Sequence, residues 1–353
     1  MPNHPPTAEE IAELCKGITD RQLLNKIEAI INEPLLDEII DKLDAEKEHS
    51  FIKDKQYIKT SLINAPGSIA DKMKFMNMVI DEGIIKPSGV IANFGAKTDL
   101  NRYVRRDLDA HMRSIYDFLA DEFTGVNGKS KFTLASGMAV GEGEGFFVFM
   151  MKGVAKGRVG DLKYKDGDWE IKANGARWAS AIRKPKAMTT IKTKVAKSLN
   201  VPVADVEPLL KDGFKANYLK KRELQKQLQK LKIQPKDWAE AIAAAFEDNF
   251  GQHADVSGFK DPKWITATSD NYNLVQKAYS RMVFTFYQNT DGFKYLTAFN
   301  QKEKAVLTIR GDKPDEVEKA IDNGLNVAMS AVEMITGGTG GFDTSPQYTL
   351  GRK

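Results

Sequence analysis

The sequence predicts a mixed α+β or α/β protein, with a mixed central sheet flanked by helices, on three observations. Residues 158–173 read as two short strands joined by Lys165-Asp166-Gly167-Asp168, and an Asp-Gly pair is a strong hairpin signal. A long helical pattern at 271–287, with Leu274, Ala278 and Met282 facing inward, precedes β-rich runs at 293–299 and 305–310. Asn300-Gln301-Lys302-Glu303 is the turn between those runs. The apolar run 146–151 reads as a buried helix segment ahead of the hairpin, so the order is helix, strand, strand, helix, strand.

The remaining elements follow in chain order. Thr7 as N-cap and Glu10 three residues later form a capping box, and Ile11, Leu14 and Ile18, then Leu23, Leu24, Ile27, Ile30 and Ile31, keep a helical period. A further helix is expected over 35–45. Ala65-Pro66-Gly67-Ser68 is a break before another at 69–85. Pro87-Ser88-Gly89 and Gly95-Ala96-Lys97 bracket a short strand or loop around Val90-Ile91-Ala92. The stretch 99–123 reads as one helix with a stripe of Tyr103, Leu108, Met112, Ile115 and Leu119. Residues 201–206 read as a linker into a helix, 219–231 as a lysine-rich helix, and Pro235 starts another that runs through Phe246. A last helix is expected from Pro314 to about Ile335, followed by the glycine-rich tail 336–342, a flexible arm or a segment ordered against a partner. This divides the chain into a helical N-terminal region at 1–125 and a core at 130–310. The core carries a helical basic insertion at about 179–268, and a C-terminal helix with its tail fills 311–353.

Length and composition bound the function. A chain of 353 residues can bury a large core and is long enough for two domains. No stretch approaches the ~18 to 20 uninterrupted apolar residues of a membrane span, and residues 1–6 lack the basic and apolar regions of a signal peptide. Cys15 is the single cysteine, which excludes an internal disulfide and a thiolate metal cluster. The expected site of synthesis is a reducing cytoplasm, and a virion assembled there carries the same signature. His4, His49, His111 and His253 are widely separated, without metal-ligand spacing, and Ser136-Gly137 lacks the flanks of a nucleophile elbow.

Net charge is +4, but it is unevenly spread. Residues 1–50 hold twelve acids against five Lys or Arg, whereas 183–236 hold fifteen Lys or Arg against four acids. The basic segment includes Lys184, Lys186, Lys220, Lys221 and Arg222, the electrostatic footprint of a phosphate-backbone binder. Arg177, in Asn174-Gly175-Ala176-Arg177-Trp178, adds a cation beside an aromatic residue close to the hairpin.

The hairpin carries the candidate chemistry. Side chains alternate along a strand, so Glu170 and Lys172 point the same way with Ile171 opposite, and Asp161, at the start of the preceding strand, is a candidate to lie beside them. Two converging carboxylates bind a hard cation through oxygen, and a neighbouring lysine polarises the attacked phosphate or orients the attacking water. Gly160-Asp161 with Glu170-Ile171-Lys172 resembles the motif of the PD-(D/E)XK superfamily, the restriction-endonuclease-like nucleases, although no proline precedes Asp161. That resemblance implies a restriction-endonuclease-like core in which Asp161 and Glu170 hold Mg2+ or Mn2+ and Lys172 acts on the phosphate. It also implies a further acid from the preceding helix, Glu144 first and Glu142 second, and a nucleic-acid substrate, DNA before RNA. The lysine-rich insertion, helical N-terminal part and glycine-rich tail are also similar in look to proteins of tailed-phage particles. That similarity implies self-association or particle partners, and a structural or assembly role with little catalysis.

Overall fold

The protein is described from a computed structural model, which describes residues 20–126, 131–133, 143–157, 161–165, 167–174, 176–178, 188–213, 218–253, 255–266, 274–328 and 347–351. It is a mixed α+β protein that divides into two compact units, Met1–Val90 with Leu100–Asp166, and Ile91–Asp99 with Gly167–Lys353. Among the described residues no helix is long and apolar enough to cross a membrane.

The first unit begins with α1 (Arg21–Ile31), α2 (Glu33–Glu46), α3 (Lys55–Asn64) and α4 (Ile69–Asp81). Asp20 caps α1 by accepting from the Gln22 and Leu23 amides, and Ser68 with Asp71 forms a reciprocal capping box on α4. The short α5 (Pro87–Ile91) stands where the sequence suggested a strand or loop. The helix expected over 99–123 is shorter than its apolar stripe implies, because α6 spans only Ala110–Thr124. Upstream, the Lys86 amide donates to the Tyr103 carbonyl and the Arg105 amide to that of Ile84, so tertiary pairing claims that backbone. Asp109 then accepts from the Met112 amide as the true N-cap, and Gly125, with φ of 73°, ends the helix. Helix α7 (Glu144–Met150) is buried throughout, as its apolar run predicts. Its Phe149 joins Phe51, Phe123 and Phe132 in an aromatic cluster packed edge-on or tilted, with centroids 4.9–6.1 Å apart.

Strands β2 (Val154–Lys156) and β3 (Leu162–Tyr164) form an antiparallel pair at the end of this unit. Lys156 reaches into the aromatic cluster, 5.2 Å from the Phe51 centroid, and pairs with buried Asp54 at 2.7 Å. Asp54 also accepts from the amide and hydroxyl of Thr133, whose carbonyl in turn accepts from Lys156. Burial pulls the Lys156 ammonium below its ordinary range, and the Asp54 charge opposes that pull.

The second unit is built on β1 (Thr98–Asp99), β4 (Gly167–Ala173), β6 (Tyr295–Asn300) and β7 (Ala305–Arg310), which lie side by side in the order β1-β7-β6-β4. β6 and β7 are the predicted antiparallel hairpin, whereas β4 runs parallel to β6, with Glu170 opposite Leu296 and Lys172 opposite Ala298. A parallel pair needs a crossover, and the chain between supplies β5 (Ala176–Arg177) and the helices α8 (Met188–Leu199), α9 (Val203–Gly213), α10 (Tyr218–Lys230), α11 (Pro235–Phe250), α12 (Ser257–Lys260) and α13 (Leu274–Asp291). The segment read as a linker at 201–206 is already helical from Val203, because Pro202 precedes the first turn, where a missing N–H costs nothing. Trp178, Leu224, Trp238, Phe284, Leu296 and Leu307 belong to one continuous core, so the basic insertion and the sheet are packed together.

The last predicted helix is also shorter than expected. α14 spans Glu316–Asp322, and Gly324, with φ of 106°, turns the chain into β8 (Leu325–Ala328). β8 pairs antiparallel with β9 (Gln347–Leu350), which also pairs with β5, a three-stranded sheet absent from the expectation. The capping box at Thr7 and the tail 336–342 lie outside the described residues.

Asp54→Ala leaves a buried ammonium with one partner fewer and is predicted to lower stability by about 3–5 kcal/mol. Adding Lys156→Met recovers most of that loss, and urea unfolding of the single and double variants measures both.

Candidate active site

Glu170 lies in the middle of β4 with its side chain almost closed to solvent. The strand alternates as the sequence requires. Trp169 sits on the opposite face, where its indole donates to the Thr297 hydroxyl at 2.8 Å, and Thr297 meets Thr308 at 2.8 Å. The Glu170 face looks onto α13. The Tyr287 hydroxyl donates to Glu170 Oε1, and the Lys172 ammonium pairs with the same oxygen. Lys172 Nζ is also 5.7 Å from the centroid of the Tyr287 ring, which packs edge-on against Phe293.

Burial pushes the Tyr287 phenol well above its ordinary range; the Glu170 charge adds to that rise and Lys172 opposes it. The phenol is therefore a neutral donor across the working pH range. One helical turn further, Asp291 ends α13 on the same stripe. Its carboxyl is raised first by burial and then by the charge of Glu170, with Lys172 pulling the other way. Asp291 and Glu170 thus feel each other, although no sequence motif joins them.

The residues of the expected site fall in both units. Glu170 and Lys172 come together in the second, on one strand face as predicted. Asp161 is a half-buried residue of the first unit, next to the start of β3, and its carbonyl accepts from the Gly157 amide at 3.1 Å. Glu144, the first residue of α7, is buried in the first unit, where its charge acts on Lys156. Glu142 lies outside the described residues.

The basic segment is less open than its charge suggests. Lys220 pairs with Glu223 at 2.5 Å, Lys192 with Glu207 at 2.9 Å, and Lys194 with Asp248. Lys221 is fully buried, 5.0 Å from the Trp264 centroid, and burial pushes it down to about 7. It belongs to the core and not to a surface that phosphate could reach. Arg222 is exposed on α10, Arg177 enters β5 opposite Gln347, and Lys184 and Lys186 lie outside the described residues.

Among the described residues no group of three or more His, Cys, Asp or Glu is arranged to hold a metal ion. Comparison of the chain with family models, curated proteins and solved structures returns no match.

Tyr287 and Asp291 were not singled out from sequence. The available signal was the i, i+4 ladder Tyr279, Val283, Tyr287, Asp291, whose apolar run ends in an acid at the helix terminus.

The raised carboxyl of Asp291 has a testable sign. A folded-state value above the unfolded one lowers stability as pH rises from the ordinary aspartate range through the raised value. Asp291→Asn is therefore predicted to be more stable than wild type near neutral pH. That advantage should disappear in acid below the ordinary aspartate range, as urea midpoints at the two pH values would show.

Proposed function

We propose that this protein is a metal-dependent phosphodiesterase acting on nucleic acid, DNA before RNA, on a restriction-endonuclease-like core. The observation that carries the reading is the Glu170–Lys172 pair on one face of β4, with the Tyr287 hydroxyl presented to it by α13. The donor set fits Mg2+ or Mn2+ in kind. Glu170 is a hard oxygen donor of the kind these ions take. Mg2+ commonly keeps several waters and takes one or two protein carboxylates together with substrate phosphates. Glu170 would hold the ion within the second unit. A bound ion supplies Lewis-acid polarisation and an activated water. Lys172, still partly open to solvent, stabilises charge developing on the attacked phosphate. Tyr287 fixes the rotamer of Glu170 through its hydroxyl.

A second reading, a structural or assembly protein of a phage particle using this fold for binding, is favoured by one observation. Glu170 Oε1 already receives both Tyr287 and Lys172, so this buried oxygen is satisfied without a metal ion.

The two readings separate in a cleavage assay on single- and double-stranded DNA and RNA with Mg2+ or Mn2+. The phosphodiesterase reading predicts cleavage that Lys172→Ala reduces by about 10²-fold or more per folded molecule, alongside the loss of stability that unpairing the buried Glu170 brings. Wild-type protein inert on every substrate would assign the chain to the structural reading.

Nucleic-acid affinity should fall steeply with salt, and replacing Lys220 and Arg222 with alanine should flatten that slope by about 1 for each phosphate no longer neutralised. Lys221→Met, at a buried position, should leave the slope unchanged. Binding titrations at several salt concentrations measure all three.

A further inference from the structure

Three buried polar groups of the second unit converge without a protein partner. Among the described residues, the Trp178 indole N–H, the Ser280 hydroxyl and the Tyr348 hydroxyl make no hydrogen bond, although Trp178 and Ser280 are fully buried and Tyr348 is 2% exposed. Other buried indoles show what such a group takes. Trp169 donates to the Thr297 hydroxyl at 2.8 Å, and Trp264 donates to the Phe259 carbonyl at 2.9 Å. A buried donor or acceptor left without a partner costs free energy, so native cores rarely keep one. Trp238 Nε1 is also unpaired, but Trp178 is distinguished by the company it keeps.

Packing brings the three groups together. The β5–β9 pairing sets Ala176 opposite Tyr348 and leads straight into Trp178. The Trp178 and Tyr348 rings then stack, with centroids 3.5 Å apart and planes 11° from parallel. Trp178 also meets Phe284 edge-on at 5.9 Å, and Ser280 lies one turn before Phe284 on the same stripe of α13. Burial raises the Tyr348 phenol well above its ordinary range, and the Ser280 hydroxyl opposes that rise. The two hydroxyls are therefore neighbours, yet they do not meet in hydrogen-bond geometry. The phenol stays neutral and keeps its O–H to donate.

We propose that one water molecule is an internal ligand of the second unit, held by Trp178 Nε1, Ser280 Oγ and the Tyr348 hydroxyl. Donors and acceptors match. The indole N–H and the phenol O–H donate to the water oxygen, and one water hydrogen goes to Ser280 Oγ. Buried waters commonly make about three such bonds to groups otherwise unsatisfied. None of the three groups is charged, so the set suits a neutral ligand and not an ion. The water ties the β5-β9-β8 sheet to α13, a role independent of the phosphodiesterase reading.

A high-resolution crystal structure of the full-length protein tests this. It should show one ordered water within about 3.2 Å of all three atoms. Ser280→Ala combined with Tyr348→Phe removes two of the three partners with little change in shape. In that variant the water density should disappear while the Trp178 ring stays stacked on the ring at position 348. A water retained at Trp178 in the variant would overturn the three-point site. So would a wild-type structure in which Ser280 bonds Tyr348 directly, or a protein carbonyl accepts from the indole, with no water between them. Should the variant not fold, the wild-type density alone decides.

Discussion

The parallel pairing of β4 with β6 is the constraint on which the second unit depends. Its register sets Trp169 opposite Tyr295 and Lys172 opposite Ala298, and it can close only if the intervening chain crosses over the sheet. That requirement returns the chain through α13 directly ahead of β6. It also brings the Tyr287 hydroxyl to Glu170 from a position 117 residues away in sequence. A carboxylate buried in mid-strand is costly without hydrogen-bond and charge partners. Tyr287 and Lys172 are thus required by the position of Glu170, whatever chemistry it performs. The same register places Trp169, Thr297 and Thr308 on the opposite face, where their polar groups satisfy one another.

The first unit solves the same problem with lysines. Lys47 is buried and donates to the Met151 carbonyl, and Lys72 is buried and donates to the Ile63 carbonyl at 3.1 Å. Burial pushes each of them down to about 8. Lys47 ties the end of α2 to a backbone segment 104 residues away and Lys72 ties α4 back to the end of α3, which an apolar residue of similar volume cannot do. Lys156 adds charge pairing to that role, joining Asp54 to the Thr133 carbonyl inside an aromatic cluster. Lys221 differs in kind, because its buried ammonium lies against the ring of Trp264 within the helical core.

Local signals were legible where local physics decides. The β6–β7 hairpin, the buried run of α7, the break ahead of α4 and the start of α11 at Pro235 follow from periodicity and turn residues. The helix ends at 110 and 322 did not, because backbone pairing around Tyr103 and the β8–β9 pairing override a continuing apolar stripe. In the site, Glu170 and Lys172 were legible because strand alternation fixes their common face. Tyr287 and Asp291 were not, since a crossover contact has no signature in spacing. The high charge of 183–236 was legible as composition. Its partition into ion pairs and the buried Lys221 depends on tertiary packing.

The Tyr287 hydroxyl and the Lys172 ammonium together hold the Glu170 side chain in place. A double-mutant cycle on stability with Glu170→Gln and Tyr287→Phe tests this most directly, because both substitutions keep shape, the first removing the carboxylate charge and the second the hydroxyl that donates to it. The account predicts a coupling of about 1–3 kcal/mol between the two positions. Strictly additive losses, within about 0.3–0.5 kcal/mol, would contradict it.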